Sequence, residues 1–242
     1  RDSSTSRGLG DVYKRQLINN ANFRSFIKVV KVDAETGKTI PYAGAGFQIY
    51  RPDGSLVSMT FTYPEVTTID TFYTNEEGFL ITPEKLEYGK GYTLKEVSAP
   101  YGYVLRAEGV SFDVAEDNST EENAVKIVEV KLGNYAQKGV IKISKSGEVF
   151  ASVTESDGIY QPVYAVQGLP GAVYEIKAAE DIVTLDGTLR YRAGEVVDTV
   201  TTGEDGPAES QPLYLGKYEI TEIQAPDGMV LNTEPYTAEL VY

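Results

Sequence analysis

The sequence predicts an all-β protein of two tandem β-sandwich domains. Three observations carry that expectation. Short runs rich in Val, Ile, Thr and Tyr alternate with turn signals: AETGK, RPDGS, NEEGF, EYGKG, then ESDG, LDGT, GEDG and APDG. Such runs fit a pleated, half-buried surface, and Gly, Asp and Pro supply the turns between them. No segment carries a convincing helical period. The chain also repeats itself. FIKVVKVDAETGK matches VIKISKSGE, GAGFQIY at 44–50 matches GAVYEIK at 171–177, and LEYGKGYTLKEVSAPYGYVL matches PLYLGKYEITEIQAPDGMVL. The order is kept over a period of roughly one hundred residues, the size of one sandwich rather than one solenoid turn.

From the N-terminus, residues 1–16 (RDSSTSRGLGDVYKRQ) match nothing that follows and read as a non-native or disordered leader, set aside from fold reasoning. Residues 17–25 read as the tail of a preceding domain or a linker. Residues 26–137 read as a complete first domain. Residues 138–242 read as a second domain whose last strand is missing. Within the first, EDNSTEENA is a polar loop; Asp117, Ser119 and Glu121 give it a faint calcium reading, but it lacks the glycine and closing ligand of a calcium loop.

Composition narrows the function. The 242 residues carry 22 Lys and Arg against 36 Asp and Glu, a net charge of −14, with no basic cluster for nucleic acid. There is no Cys and no His, so disulfides, thiolate chemistry and His-based catalysis or metal ligation are excluded. No cofactor is expected. No stretch approaches the ~20 apolar residues of a membrane helix. A conventional enzyme has no support: no nucleophile elbow, phosphate loop or catalytic carboxylate pair is present.

Face parity then picks out an unusual set of polar residues. Side chains two apart on a strand share a face. Lys31 continues the row Ile27, Val29; Glu96 continues Tyr92, Leu94; Asn134 continues Val128, Val130, Leu132. The second repeat gives Lys145 after Ile141 and Ile143, and Glu222 after Tyr218 and Ile220. Parity selects Lys31 over Lys28, Lys145 over Lys142 and Glu222 over Glu219. Read from the residues alone, these sets are either reactive centres or structural Lys–Glu pairs with an asparagine at a strand end.

The pattern K-x-D-x-x-T-G, G-A-x-F, Y-T-L-K-E-x-x-A-P-x-G-Y and a last strand ending in Asn resembles the Cna B-type domain, which includes the SpaA-type pilin modules of Gram-positive surface proteins. It covers the chain from about residue 20 onward, and E-x-x-A-P-x-G occurs twice. The resemblance implies two Ig-like, prealbumin-like sandwiches. It implies an intramolecular isopeptide bond with Lys31 as nucleophile, Asn134 as acceptor and Glu96 as catalyst. Lys145 and Glu222 would play the same parts in domain two. Asn20 lies as far before Lys31 as Asn134 lies before Lys145, so it reads as the acceptor of a missing preceding domain, with Asn19 its competitor. Lys145 has no acceptor to follow it, since PYTAELVY matches the penultimate strand EGVSFDVA.

The chemistry is physically reasonable. Burial disfavours the charged form of an amine, so a buried lysine can be neutral and nucleophilic. A carboxyl alongside can relay protons from it to departing ammonia. Such a bond joins the first strand to the last, where tension enters and leaves. In the chain-entropy model, closing a loop of ~100 residues contributes roughly 4–5 kcal/mol. The expected role is a structural stalk module of a Gram-positive, cell-wall-anchored adhesin or pilin-like protein, with neighbouring domains of the same chain as its partners. The alternative is a module that binds a host matrix protein or glycan through Tyr50, Tyr63, Tyr73, Tyr160, Tyr164 or Tyr191. The sequence holds no LPxTG motif, and TYPEV lacks the lysine of a pilin motif.

Overall fold

The computed structural model describes residues 24–115 and 126–242. Two sandwiches follow one another. The first contains β1 (Arg24–Asp33), β2 (Gly46–Tyr50), β3 (Met59–Phe61), β4 (Thr67–Ile69), β5 (Phe72–Tyr73), β6 (Phe79–Ile81), β7 (Leu86–Glu87), β8 (Gly89–Ser98), β9 (Val110–Val114) and β10 (Ile127–Asn134). One sheet has the order β10-β1-β6, with β7 also on β1. The other has the order β5-β2-β8-β9. Strand β1 forms because its β-branched residues alternate. Ile27, Val29, Phe47, Ile49, Leu94 and Leu132 are fully buried where the two sheets meet. Truncating one such leucine to alanine costs about 2–5 kcal/mol.

The first and last strands pair in parallel. Their register sets Val29 against Val130, Lys31 against Leu132 and Asp33 against Asn134. A turn at Thr36–Gly37 ends the run, with Gly37 at φ 71°. The Asp33 carboxylate holds that turn through its Oδ1, which accepts from the amides of Glu35 (2.8 Å) and Thr36 (3.0 Å).

The second sandwich contains β11 (Lys138–Gly139), β12 (Lys142–Ser144), β13 (Ser146–Ser156), β14 (Ile159–Gly168), β15 (Val173–Ala178), β16 (Ile182–Val183), β17 (Leu189–Tyr191), β18 (Val196–Thr201), β19 (Pro207–Glu209), β20 (Leu213–Tyr214), β21 (Gly216–Gln224) and β22 (Tyr236–Leu240). Its sheet β18-β15-β21-β22 repeats β5-β2-β8-β9, and the pairs β12-β19 and β11-β20 repeat β1-β6 and β1-β7. PYTAELVY falls where the sequence places it, since β22 pairs β21 as β9 pairs β8. Among the described residues, no strand takes the place of β10.

Two features were not expected. The first is a long ribbon. Where domain one turns directly from β1 to β2, domain two inserts β13 and β14, joined by Asp157 (φ 53°) and Gly158 (φ 78°). This is the two-residue Asp-Gly turn that matches strand twist. The second is a polar joint between the domains. Arg190 reaches Asp33 Oδ2 (2.7 Å) and Glu35 Oε2 (2.7 Å). Tyr103 OH also donates to Asp33 Oδ2 (3.0 Å), and Thr36 Oγ1 donates to Asp186 (2.7 Å). Ile40, Tyr103 and Ala136 form a small apolar core beside it, with Tyr42 and Tyr214 packed on top.

Candidate functional site

The three residues singled out by parity meet in the core of domain one. Lys31 is 0% exposed, Asn134 1% and Glu96 6%. Lys31 arrives on β1, Glu96 on β8 of the facing sheet and Asn134 at the end of β10. The Lys31 ammonium nitrogen contacts Asn134 Oδ1, donates to Leu132 O at 2.8 Å and lies 3.3 Å from Glu96 Oε1. Asn134 Nδ2 donates to Glu96 Oε2 at 2.7 Å and to Val104 O at 2.9 Å. Both neighbours of Nδ2 are acceptors, which fixes the orientation of the amide.

The Glu96 carboxyl thus lies between the lysine amine and the asparagine amide. Oε1 faces the amine and makes no aligned hydrogen bond of its own, although it lies within ion-pair reach. Oε2 faces the amide nitrogen and is held from behind by the backbone N–H of Arg106 at 2.8 Å. Burial lowers the Lys31 pKa from 10.5 to about 8, against the opposing pull of Glu96. That shift corresponds to about 3 kcal/mol in favour of the neutral amine. A cavity of about 770 Å³, lined by Val104, Leu105, Arg106, Gly133, Asn134 and Tyr135, opens beside the amide.

The second pair behaves differently. Lys145 Nζ lies 2.8 Å from Glu222 Oε1, but the lysine side chain keeps 18% of its exposure. The hydrogen bond that Lys145 donates to Glu222 raises the Lys145 pKa. Burial pushes Glu222 up, but hydrogen bonds from Lys145 and from the Asn232 N–H (2.8 Å) outweigh it and leave the carboxyl below its usual range. This is an ordinary ion pair. The groove between β12 and β22, about 440 Å³, opens at the Lys145 side. No acceptor amide stands by Lys145 among the described residues. Asn20, Asn19 and the loop with Asp117, Ser119 and Glu121 lie outside the described residues.

Three groups in and around the site escaped sequence reasoning. Val104 O and Arg106 N–H act through the backbone, which residue types do not reveal. Asp33 was overlooked although it continues the row Ile27, Val29, Lys31 and is fully buried. Alternation along β1 is the signal that could have found it.

Comparison with known proteins places the chain in a family. The family described as "SpaA: Prealbumin-like fold domain" matches residues 25–136 and 163–241. The chain belongs to that family. Among individual relatives, this SpaA-type chain is 46% identical over 44 residues to the trypsin-resistant surface T6 protein of Streptococcus pyogenes serotype M6, covering 18% of the chain and 8% of that protein. The Bacillus anthracis TIE protein matches 90% of the chain and 32% of its own length, at 27% identity and a TM-score of 0.50. The major pilin subunit BcpA of Bacillus cereus, as the D312A variant, matches 90% of the chain and 95% of its own at 15% identity and a TM-score of 0.37. The chain therefore spans under a third of the TIE chain and a small part of the T6 protein. Tandem prealbumin-like sandwiches are the fold of this SpaA-type chain. Among the described residues, no helix is long and apolar enough to cross a membrane, and no group of acidic residues is placed to hold a metal.

Proposed function

We propose that the chain is a stalk segment of a Gram-positive cell-surface protein whose first domain closes on itself by an isopeptide bond between Lys31 and Asn134. One observation carries the proposal: the two oxygens of a single carboxyl, Glu96, address the nucleophile at 3.3 Å and the leaving nitrogen at 2.7 Å. The neutral Lys31 amine attacks Asn134 Cγ and the C–N bond forms. The proton shed by Nζ passes to Glu96 Oε1. The Glu96 carboxyl, now holding that proton, delivers it to Nδ2, the old C–N bond breaks and ammonia leaves. Atoms and charge balance, and Glu96 ends as it began. Enclosure in a dry core fixes the reactants, a contribution worth ~7–11 kcal/mol in well-oriented intramolecular reactions. The protein is its own single-turnover substrate.

In this reading residues 26–137 form one complete module. Residues 138–242 form a second in which Lys145 and Glu222 remain an ion pair. Surface location is supported by the surface and pilin relatives, and partners along the rod are neighbouring domains. The experiment is an intact mass of the purified chain. The expected result is the loss of one ammonia, abolished by Lys31→Ala and by Glu96→Ala and unaffected by Lys145→Ala. A mass equal to the sequence sum sinks the crosslink and leaves an uncrosslinked sandwich array.

A further inference from the structure

The β13-β14 ribbon is the feature the stalk reading does not use. It lies largely outside the two segments matched by the family, which leave out residues 137–162. Cross-strand register fixes its faces: Glu148 opposes Val166, Phe150 opposes Tyr164, Val153 opposes Pro162 and Glu155 opposes Tyr160. Directly opposed residues share a face, and a bulge between Phe150 and Ser152 keeps Val153 and Glu155 on the face of Phe150. One face therefore carries Phe150, Val153, Tyr160, Pro162, Tyr164 and Val166, with Glu148 and Glu155 among them. The other carries mostly small and polar residues.

None of that apolar face is covered. Tyr160 is 70% exposed, Val166 69%, Phe150 60% and Tyr164 57%. Phe150 and Tyr164 stand edge to face at 6.4 Å. Among the described residues, the ribbon pairs with no third strand. Two-stranded ribbons gain most of their stability from packing against something else, and contiguous exposed aromatic patches mark interaction sites. The base, by contrast, is firmly seated. A Cβ on Gly168 would fall 1.8 Å from Asp205 O, so the ribbon leaves the domain through a close backbone contact.

Charge says what covers it. Residues 146–168 contain Glu148, Glu155 and Asp157 and no Lys or Arg. A second copy of this chain, itself at −14, would bring like charge to the face. A cationic partner gains twice: its ammonium or guanidinium groups sit over the Tyr and Phe rings beside the carboxylates, and their stems lie on Val153, Pro162 and Val166. The unpaired outer edges of the ribbon also offer main-chain partners to an extended chain. We propose that the ribbon is a docking surface for an extended, lysine- or arginine-rich polypeptide segment of another protein. The proposal is independent of the Lys31–Asn134 bond.

The test uses the full chain and a synthetic peptide of alternating lysine and valine, with an alternating glutamate–valine peptide as control. Calorimetry should give binding of the first peptide and none of the second. The paired substitution Tyr160→Ser with Tyr164→Ser should weaken binding at least about tenfold. Glu148→Gln with Glu155→Gln should flatten its dependence on salt. All four sites are exposed, so the thermal midpoint of each variant should match the parent and certify folding. Equal binding by parent and tyrosine variant overturns the proposal, as does failure of the lysine peptide to bind. A neutral glycan that binds the same tyrosines in its place, or self-association lost in Tyr164→Ser, gives the face another occupant and overturns it too.

Discussion

Glu96→Gln separates two things that Glu96 does to the reaction. Its charge and hydrogen bond raise the Lys31 pKa against burial, so removing them leaves more of the amine neutral. With a pKa of about 8, about one-tenth of Lys31 is neutral at pH 7. Freeing the amine completely can therefore gain at most about tenfold in rate. Loss of the proton relay removes about 10²–10⁴-fold, the usual worth of a positioned acid–base group. The sum predicts net slowing of at least about tenfold. Glutamine keeps the shape, and its amide can still meet the Asn134 network, so the fold should survive. The assay starts from chain purified and held in denaturant, refolds it by dilution and quenches samples for intact mass. The fraction that has lost ammonia is followed with time, with circular dichroism to show that refolding is complete. Crosslinking of Glu96→Gln as fast as the parent, or faster, refutes the argument. Amine neutrality would then be the whole of catalysis.

Other outcomes follow from the same geometry. The crosslinking rate of the parent should rise about tenfold per pH unit as the lysine loses its proton, then level off above the Lys31 pKa of about 8; a flat profile below pH 8 in the refolding assay contradicts a rate set by that amine. Asn134→Asp should still form a bond but expel water, read as a different mass loss in the same experiment. Asn134→Ala cannot close its loop of 103 residues and should lose about 5 kcal/mol of domain-one stability by denaturant titration, besides any packing loss. Arg190→Ala removes the cation from buried Asp33 but leaves it Tyr103 OH and two turn amides, so the cost should be about 1–3 kcal/mol by calorimetry.

The sandwich order and the site were legible for one reason: alternation along a strand reports its facing. Lys31, Glu96 and Asn134 each stand at the end of an apolar row, and no packing detail is needed to see it. What alternation cannot report is whether anything lies opposite. EVFASVTES and IYQPVYAVQ alternate like the strands of any sandwich, so the exposure of Phe150 and Tyr164 was invisible in them. Arg190 was invisible for another reason. It follows the LDGT turn signal with nothing to mark it, and its partner Asp33 is 157 positions away in the other domain. The difference between the two lysines was readable from the repeat, which gives Lys145 no acceptor strand, but not from parity. Lys31 and Lys145 have the same parity, and only the strand laid beside Lys31 dries one and leaves the other wet.

The joint has a consequence for how one domain flexes against the next. Arg190 does not grip a loose loop. It grips Asp33, two residues beyond Lys31 on the same strand and opposite Asn134 in the ladder. A sideways push on the second domain is thus delivered as torque into the β1-β10 pair. If those strands are stitched, flexing one domain against the next must distort a stitched ladder rather than swing on a hinge. Stiffness would then pass from module to module, and the segment would act as a lever arm, holding its far end at a set distance and angle.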